Sequence, residues 1–189
     1  KGDLVRSFRF VPLVNLSAGT EIYFTDSGWI TTSFRANEGA VKYTAPAGGI
    51  TAGTNIQYTD TAPNFTVVSD GNVGTNGLIL STGGDQVLVF QGSTANPIFI
   101  FAAQSNSTQW QQGGATDSNT SGLPPGLTDN CTAIAFGSGA GPGDEFDNVW
   151  YDCSLTVGNN TDLLDAVTDQ ANWQGDNSSS SACATTFTI

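Results

Sequence analysis

The side chains in this chain that could carry covalent chemistry are asparagines in glycosylation sequons and three cysteines. An Asn-x-Ser/Thr triplet with x other than Pro is the acceptor for N-linked glycans in secretory compartments. Such triplets also arise by chance in a β-protein rich in Asn and Thr. We favour glycosylation, most of all at Asn106 and Asn119, and with it a secreted, extracellular protein from a eukaryotic host. The seven acceptors are Asn15, Asn64, Asn106, Asn119, Asn130, Asn159 and Asn177.

The three cysteines, Cys131, Cys153 and Cys183, favour a disulfide over a metal site. The chain has no His and no CxxC spacing, so a zinc ion would lack ligands. An antiparallel hairpin that pairs Phe136 with Asn148 would place Cys131 opposite Cys153. We expect that disulfide, and the competing pairing is Cys153 with Cys183, which would hold the C-terminal strand. In the first arrangement Cys183 is left for an interchain bond.

The absence of His also narrows the catalytic chemistry. It removes the Ser-His-Asp and Cys-His nucleophile systems together with imidazole metal sites. Paired carboxylates could still cleave glycosides, but scattered acids on turns are mostly solvated residues or caps. Ser-Lys catalysis would have to use Lys1 or Lys42, and neither lies in a recognisable motif. We therefore predict no catalytic residues and no enzyme activity.

Calcium is the one inorganic partner that the residues suggest, because it prefers hard oxygen ligands. Residues 143–148, Gly-Asp-Glu-Phe-Asp-Asn, bring three carboxylates into four positions. They lack the alternating ligands and the distal Glu of a calcium loop, so solvated turn acids are the preferred interpretation. Asp26 and Asp85 are weaker candidates. We predict no cofactor and no metal site.

Trp110 is the candidate for stacking against a ligand such as a sugar ring. It lies in residues 104–129, a polar stretch rich in Gly, Ser, Thr and Asn that we predict to be an extended functional loop. Trp29 and Trp150 could stack in the same way, but a core position is commoner for a Trp between strand-like segments. Trp110 is thus the residue on which a glycan-binding function would depend.

Charge and composition restrict the class of partner. The 189 residues include 17 acidic and 5 basic side chains, for a net charge of -12, and the few cations form no patch for a phosphate backbone. Apolar residues, at 38%, are sufficient for a folded core. The longest apolar run, residues 97–103, is far shorter than the roughly 18 residues of a membrane helix. We predict one folded domain, residues 1–189, without nucleic-acid binding or membrane insertion.

Short apolar runs between Gly-, Ser- and Pro-containing turns predict that strands predominate. Residues 161–173 depart from this strand pattern and predict a short helix. Leu163, Leu164 and Val167 fall on one helical stripe, and Thr161 can cap the helix N-terminus. We predict an all-β fold, an antiparallel two-sheet sandwich with one short helix near the C-terminus. The predicted strands are residues 8–14, 21–25, 40–44, 54–59, 65–68, 78–80, 86–91, 97–102, 132–136, 148–152 and 185–189.

A series of short strings resembles a known domain family. GDLV at 2–5, FVPLV at 10–14 and AGTEIYFTDSGW at 18–29 are similar to the opening of the lamin-tail-like β-sandwich domains of secreted bacterial and algal surface proteins. Further similar strings cover nearly the whole chain, at 43–49, 84–92, 126–128, 147–151 and 163–173. The resemblance implies an immunoglobulin- or lamin-tail-like sandwich without catalytic residues, used beside adhesion, anchoring or secreted-enzyme modules. The cysteines and most of the sequons depart from the family pattern.

Two functions follow from these features. The first is a structural or adhesive extracellular module, a glycosylated subunit that self-associates or binds other surface proteins in a matrix, sheath or filament. In this hypothesis residues 8–14 and 184–189 add to a neighbour's sheet and Cys183 locks the contact. The alternative for these two runs is pairing inside their own domain. The second function is a module that binds carbohydrate or another surface polymer through Trp110.

Overall fold

The computed structural model describes residues 6–141, 143–179 and 181–189. Within these residues the chain is mostly β, with one short α-helix near the C-terminus, as the sequence predicts. The helix α1 is Asn160–Thr168, and a 3-10 turn, Gln170–Asn172, follows it. The strands are β1 (Phe8–Phe10), β2 (Glu21–Thr25), β3 (Ala40–Thr44), β4 (Ile56–Tyr58), β5 (Phe65–Val68), β6 (Gln86–Ser93), β7 (Asn96–Gln104), β8 (Ala133–Ala135), β9 (Asn148–Tyr151) and β10 (Trp173–Asp176).

Six of the strands form the central sheet, in the order β5-β3-β2-β6-β7-β8. All neighbours in it are antiparallel except β7 and β8, which pair in parallel with Ala102 opposite Ala133. Two smaller antiparallel sheets join β1 to β4 and β9 to β10. Side chains alternate between the faces of a strand, so Phe24 of β2 lies on one face of the central sheet and Tyr23 on the other.

Both faces of the central sheet are covered. On one face, the β1–β4 pair places Phe8 against Phe24 and Tyr58, with ring centroids 4.8 and 5.1 Å apart. On the other face, Trp29 and Trp110 come from loops and pack in one cluster with Leu88 and Phe90 of β6. A strand between two covered faces needs apolar residues at successive positions, which explains the unbroken run Val-Leu-Val-Phe at 87–90.

A third cluster joins the helix to the C-terminal segment. Leu163 of α1 is fully buried and packs with Tyr151 and Phe187. The helix N-cap lies two residues earlier than predicted, because Asn159, not Thr161, accepts hydrogen bonds from two backbone N–H groups of the first turn. It ends at Thr168, and Trp173, which packs beside the helix residues Ala166 and Val167, begins β10.

The predicted hairpin between residues 132–136 and 148–152 is wrong. Strand β8 pairs in parallel with β7, and β9 pairs with β10, a strand that the sequence patterns did not predict. Two predicted strands, 78–80 and 185–189, are extended segments without a ladder, although Leu78 and Phe187 are buried. Side-chain packing and isolated backbone hydrogen bonds hold these segments in place of a strand ladder. An apolar run does not by itself distinguish such packing from strand pairing.

The expected disulfide between Cys131 and Cys153 is also wrong. Cys153 is bonded to Cys183, 30 residues away, and Cys131 is a free, exposed cysteine. Spacing along the chain suggested the first pairing, but β8 and β9 belong to different sheets, so Cys131 and Cys153 do not meet. The bond within the chain also removes Cys183 from any interchain link.

The two terminal runs pair inside their own domain. Strand β1 is hydrogen-bonded to β4, and the backbone N–H of Phe187 donates to the carbonyl of Gly53 at 2.8 Å. Thr188 forms a bridge with Val157, and the Phe187 side chain is only 6% exposed. Addition of these runs to a neighbour's sheet, one of the two alternatives from the sequence, would require breaking these contacts.

Candidate functional site

The end of the β6–β7 hairpin extends past its neighbours in the central sheet. Strand β2 pairs with Leu88–Phe90 of β6, and β8 pairs with Ala102–Gln104 of β7. Among the described residues, the first part of β7, residues 96–101, therefore has β6 as its one strand neighbour. We call residues 96–101 the free edge. Its outer backbone N–H and C=O groups are available for pairing with another strand.

The free edge is apolar and uncharged. Ile98 is 70% exposed and Ile100 is 44% exposed, beside a β-bulge at Val89/Phe90 of the partner strand. No charged residue occurs anywhere in residues 86–104, although the chain as a whole has a net charge of -12. Natural edge strands are usually blunted by Lys, inward charges or Pro. The free edge contains one of these protective features, Pro97, which lies close to the hairpin turn.

The two outer strands of the central sheet differ in how their edges are covered. At β8, the side chain of Gln170 donates from Nε2 to the carbonyl of Ala135 at 2.6 Å and so caps that edge. At β5, β3 is the one strand partner within the described part of the chain, and Val67 is 56% exposed. As far as the described residues show, the sheet thus presents two uncapped edges, the free edge of β7 and the outer edge of β5.

A group of buried acids lies at the ends of β2 and β6. Asp26 is fully buried and its Oδ2 accepts a hydrogen bond from the backbone N–H of Ile79 at 2.6 Å. Its Oδ1 has no hydrogen-bond partner among the described residues. Asp85, 6% exposed, accepts from the N–H groups of Ser81 and Gln86 at 2.7 and 2.8 Å. Gln86 in turn donates its side-chain amide to the carbonyl of Asp26.

Burial makes these acids hard to ionise. Desolvation raises the pKa of Asp26 to about 6, partly opposed by the Ile79 hydrogen bond and by the charge of Arg6. Desolvation, and after it the charge of Asp26, raises the pKa of Glu38 to about 8 and the pKa of Asp85 well above its usual range. Burial at this site therefore favours the protonated form of these carboxyl groups over the ionised form. Nothing in the sequence patterns identified Glu38 as part of it.

No metal site emerges from the described residues. They contain no group of three or more His, Cys, Asp or Glu side chains that could hold a metal ion. In the acidic segment 143–148, Asp144 accepts from the backbone N–H of Gly141 at 2.7 Å, and the N–H of Asp147 donates to Asn177. The Asp144 carboxylate is thus engaged in a turn, and the backbone of Asp147 is held by the Asn177 side chain.

Trp110 is buried and does not offer a ring face to a ligand. It is 5% exposed, and its Nε1 donates to Oδ1 of Asp129 at 3.0 Å. Residues 104–129 form a lining for the core instead of an open loop: the N–H of Trp29 donates to Ser121 Oγ, and a side chain at Gly28 would collide with the carbonyl of Thr120. Trp29 is buried, as expected, and the stacking role predicted for Trp110 is corrected to a core role.

The seven sequons differ in how their side chains are placed. Asn106 and Asn119 are half-buried, because the polar stretch that contains them packs on the core. The side-chain nitrogens of Asn119 and Asn159 are engaged as donors, to Gly83 O at 3.0 Å and to Asp162 Oδ2 at 2.7 Å. Glycosylation itself stays a prediction at all seven positions. The exposed members are Asn15, Asn64, Asn130, Asn159 and Asn177.

Comparisons with known proteins assign this chain to no family. No protein-family model, curated protein or solved structure matches this chain. In the described part of the chain, no helix has the length and hydropathy needed to cross a bilayer. The features that bear on function are therefore the two uncapped edges of the central sheet, the buried acids and the disulfide.

Proposed function

We propose that this chain is a non-catalytic structural or adhesive extracellular module that self-associates through the free edge of β7. The observation that carries the proposal is the pair Ile98 and Ile100, exposed on an uncharged strand whose outer edge has no strand partner among the described residues. Addition of a strand to such an edge satisfies the backbone groups and buries the apolar side chains. Burying the exposed part of Ile98 contributes about 1–2 kcal/mol per copy.

A second copy of the chain is the partner that fits this edge best. Each copy carries a net charge of -12, so most of its surface repels another copy. The hairpin 86–104 is the exception, because it carries no charged side chain. Two such edges can meet without desolvating a charge or bringing like charges together. Antiparallel pairing of β7 with β7 is self-complementary and gives a two-fold dimer. Repetition into a matrix, sheath or filament requires a second contact in addition to this one.

An extracellular location and a lamin-tail-like sandwich are part of the same proposal. The Cys153–Cys183 bond supports an oxidising compartment, where disulfides persist. The packing of the β1–β4 pair against one face of the central sheet supports a sandwich-like arrangement of two layers. The sandwich-like arrangement is consistent with the family that the sequence strings resemble, whereas the cysteines depart from that family's pattern.

The test is a charge substitution on the free edge. We expect wild-type protein to sediment as a concentration-dependent dimer, and Ile98→Lys to weaken dimerisation at least tenfold, because a charge must be desolvated in the paired edge. Val14→Lys is the matched control, since Val14 is 59% exposed and lies outside the hairpin. A wild-type protein that stays monomeric at all concentrations, or two variants that weaken the dimer equally, contradicts the proposal.

Two further measurements separate this function from the others. Clean turnover in a glycosidase, esterase and protease panel would contradict the non-catalytic assignment. Binding of the monomeric Ile98→Lys variant on a glycan array would instead support a carbohydrate-binding module. With Trp110 buried, that alternative has lost the residue on which it depended.

A further inference from the structure

The sequon at Asn64 stands directly before β5, one of the two uncapped edges of the central sheet. Asn64 is exposed, and its carbonyl accepts a hydrogen bond from the N–H of Thr44 at 2.9 Å, which holds the residue at the end of β3. Its backbone is in the left-handed region, with φ 67°, where Asn is tolerated better than most residues. The third sequon residue, Thr66, is exposed on β5.

The Asn64 side chain is also free for modification. It makes no hydrogen bond to another described residue, whereas the side-chain nitrogens of Asn119 and Asn159 are engaged in hydrogen bonds. Asn15, Asn130 and Asn177 are exposed too, but none of them adjoins an uncapped edge of the central sheet. Asn130 lies next to β8, where Gln170 already covers the outer strand.

We propose that Asn64 carries an N-linked glycan that shields the outer edge of β5. The proposal rests on the self-association proposed above and determines which edge takes part in it. With β5 shielded, β7 is left as the one open edge of this sheet within the described part of the chain. A glycan is bulky and strongly solvated, so it prevents another strand from approaching closely enough for backbone hydrogen bonds. Val67, 56% exposed on β5, is the apolar side chain that would otherwise attract a partner.

The modification is a transfer from an activated oligosaccharide carried on a lipid diphosphate. The side-chain nitrogen of Asn64 bonds to the anomeric carbon of the first sugar, and the bond from that carbon to the diphosphate oxygen breaks. One amide proton is lost and the lipid diphosphate leaves. The amide keeps its second hydrogen and its carbonyl, and no oxidant or reductant is required.

The experiment uses protein secreted from eukaryotic cells and a pair of variants that differ in the sequon alone. Thr66→Ala removes the acceptor triplet and Thr66→Ser retains it, and neither changes the left-handed residue 64. Glycopeptide mass spectrometry is expected to find residue 64 modified in most copies of the wild type and the Ser variant, and in none of the Ala variant. Absence of a glycan at residue 64 in wild-type protein overturns the proposal, whatever the other sequons carry.

The shielding role is tested in the Ile98→Lys background, where association through β7 is suppressed. Light scattering is expected to show monomers for Thr66→Ser and concentration-dependent association for Thr66→Ala. Monomers in both cases, with unchanged thermal midpoints, overturn the shielding role. The β7 proposal fails separately, if wild-type protein does not dimerise. In that case the glycopeptide result and the comparison of Thr66→Ser with Thr66→Ala can still be interpreted.

Discussion

Replacement of the buried Asp26 should abolish much of the pH dependence of folding. Asp26 is fully buried, and desolvation raises its pKa from 3.8 to about 6. This rise in the pKa of Asp26 corresponds to about 3 kcal/mol of stability, because a tenfold change in proton affinity is worth about 1.4 kcal/mol. Because the raised pKa means that the folded state holds its proton more tightly, this stabilisation is complete below pH about 4 and is lost as pH rises through 6.

Two neighbours extend the effect in the same direction. Glu38 has a pKa of about 8, and Asp85 is raised as well, so each also favours the folded state at low pH. The three carboxyls repel one another once charged, so their contributions do not add. The exposed Glu21 acts in the opposite sense, because its hydrogen bond to Lys42 lowers its pKa. The wild-type free energy of unfolding should therefore fall by about 3 kcal/mol or more between pH 4 and pH 8.

The assay is urea denaturation at pH 4, 6 and 8, in 0.5 M NaCl to screen repulsion between surface acids. Asp26→Asn keeps an acceptor for the N–H of Ile79 but does not titrate. We expect it to match the wild type at pH 4 and to exceed it at pH 8 by up to about 3 kcal/mol. Val14→Asn, a neutral replacement of a side chain that is 59% exposed, is the control and should leave the pH dependence unchanged.

Either of two results would refute this reasoning. One is a wild-type stability that rises from pH 4 to pH 8, which would mean that carboxylates are stabilised by the fold instead of destabilised. The other is an Asp26→Asn variant with the same pH dependence as the wild type. That outcome would place the titrating group elsewhere and remove the assigned effect of burial at Asp26.

Three further predictions concern stability. Cys153→Ser should lower the free energy of unfolding by about 3–4 kcal/mol, because it removes a cross-link that closes a 30-residue loop. Cys131→Ser should leave this free energy nearly unchanged, and calorimetry of both variants tests the difference. Asn159→Ala should cost about 1 kcal/mol by removing the helix N-cap, and an unchanged urea midpoint would contradict the capping assignment. Trp110→Phe should cost about 1–3 kcal/mol through lost packing and the lost bond to Asp129, with no change in glycan-array binding.

Local patterns in the sequence predicted several elements with their observed bounds. The strands 21–25, 40–44 and 65–68 lie where they were expected. Each combines β-branched or aromatic residues with turn residues at its ends, and these properties act within a few positions of the chain. The helix near the C-terminus was identified for the same reason, since its apolar stripe and its polar N-terminus are local features.

The candidate site was predictable only in part. Residues 97–103 stand out in the sequence as the longest apolar run, but the pattern does not show that β8 pairs with the last three residues of β7 and leaves the free edge uncovered. The same holds for the sequon at Asn64, which is visible in the sequence without its position at a sheet edge. Partner strands and edges depend on contacts between distant segments.

The sequence by itself determined four properties: the acidic composition, the β-rich class, the sequons and the short helix. Each of them depends on residue types or on spacing over a few positions. Tertiary structure alone decided that Cys153 bonds to Cys183, that Trp110 is buried and that Asp26 lies beside Glu38 and Asp85 in the interior. These outcomes depend on which distant surfaces pack together. Many pairings satisfy the same local patterns, and the difference in buried area and hydrogen bonding among them is a property of the whole fold.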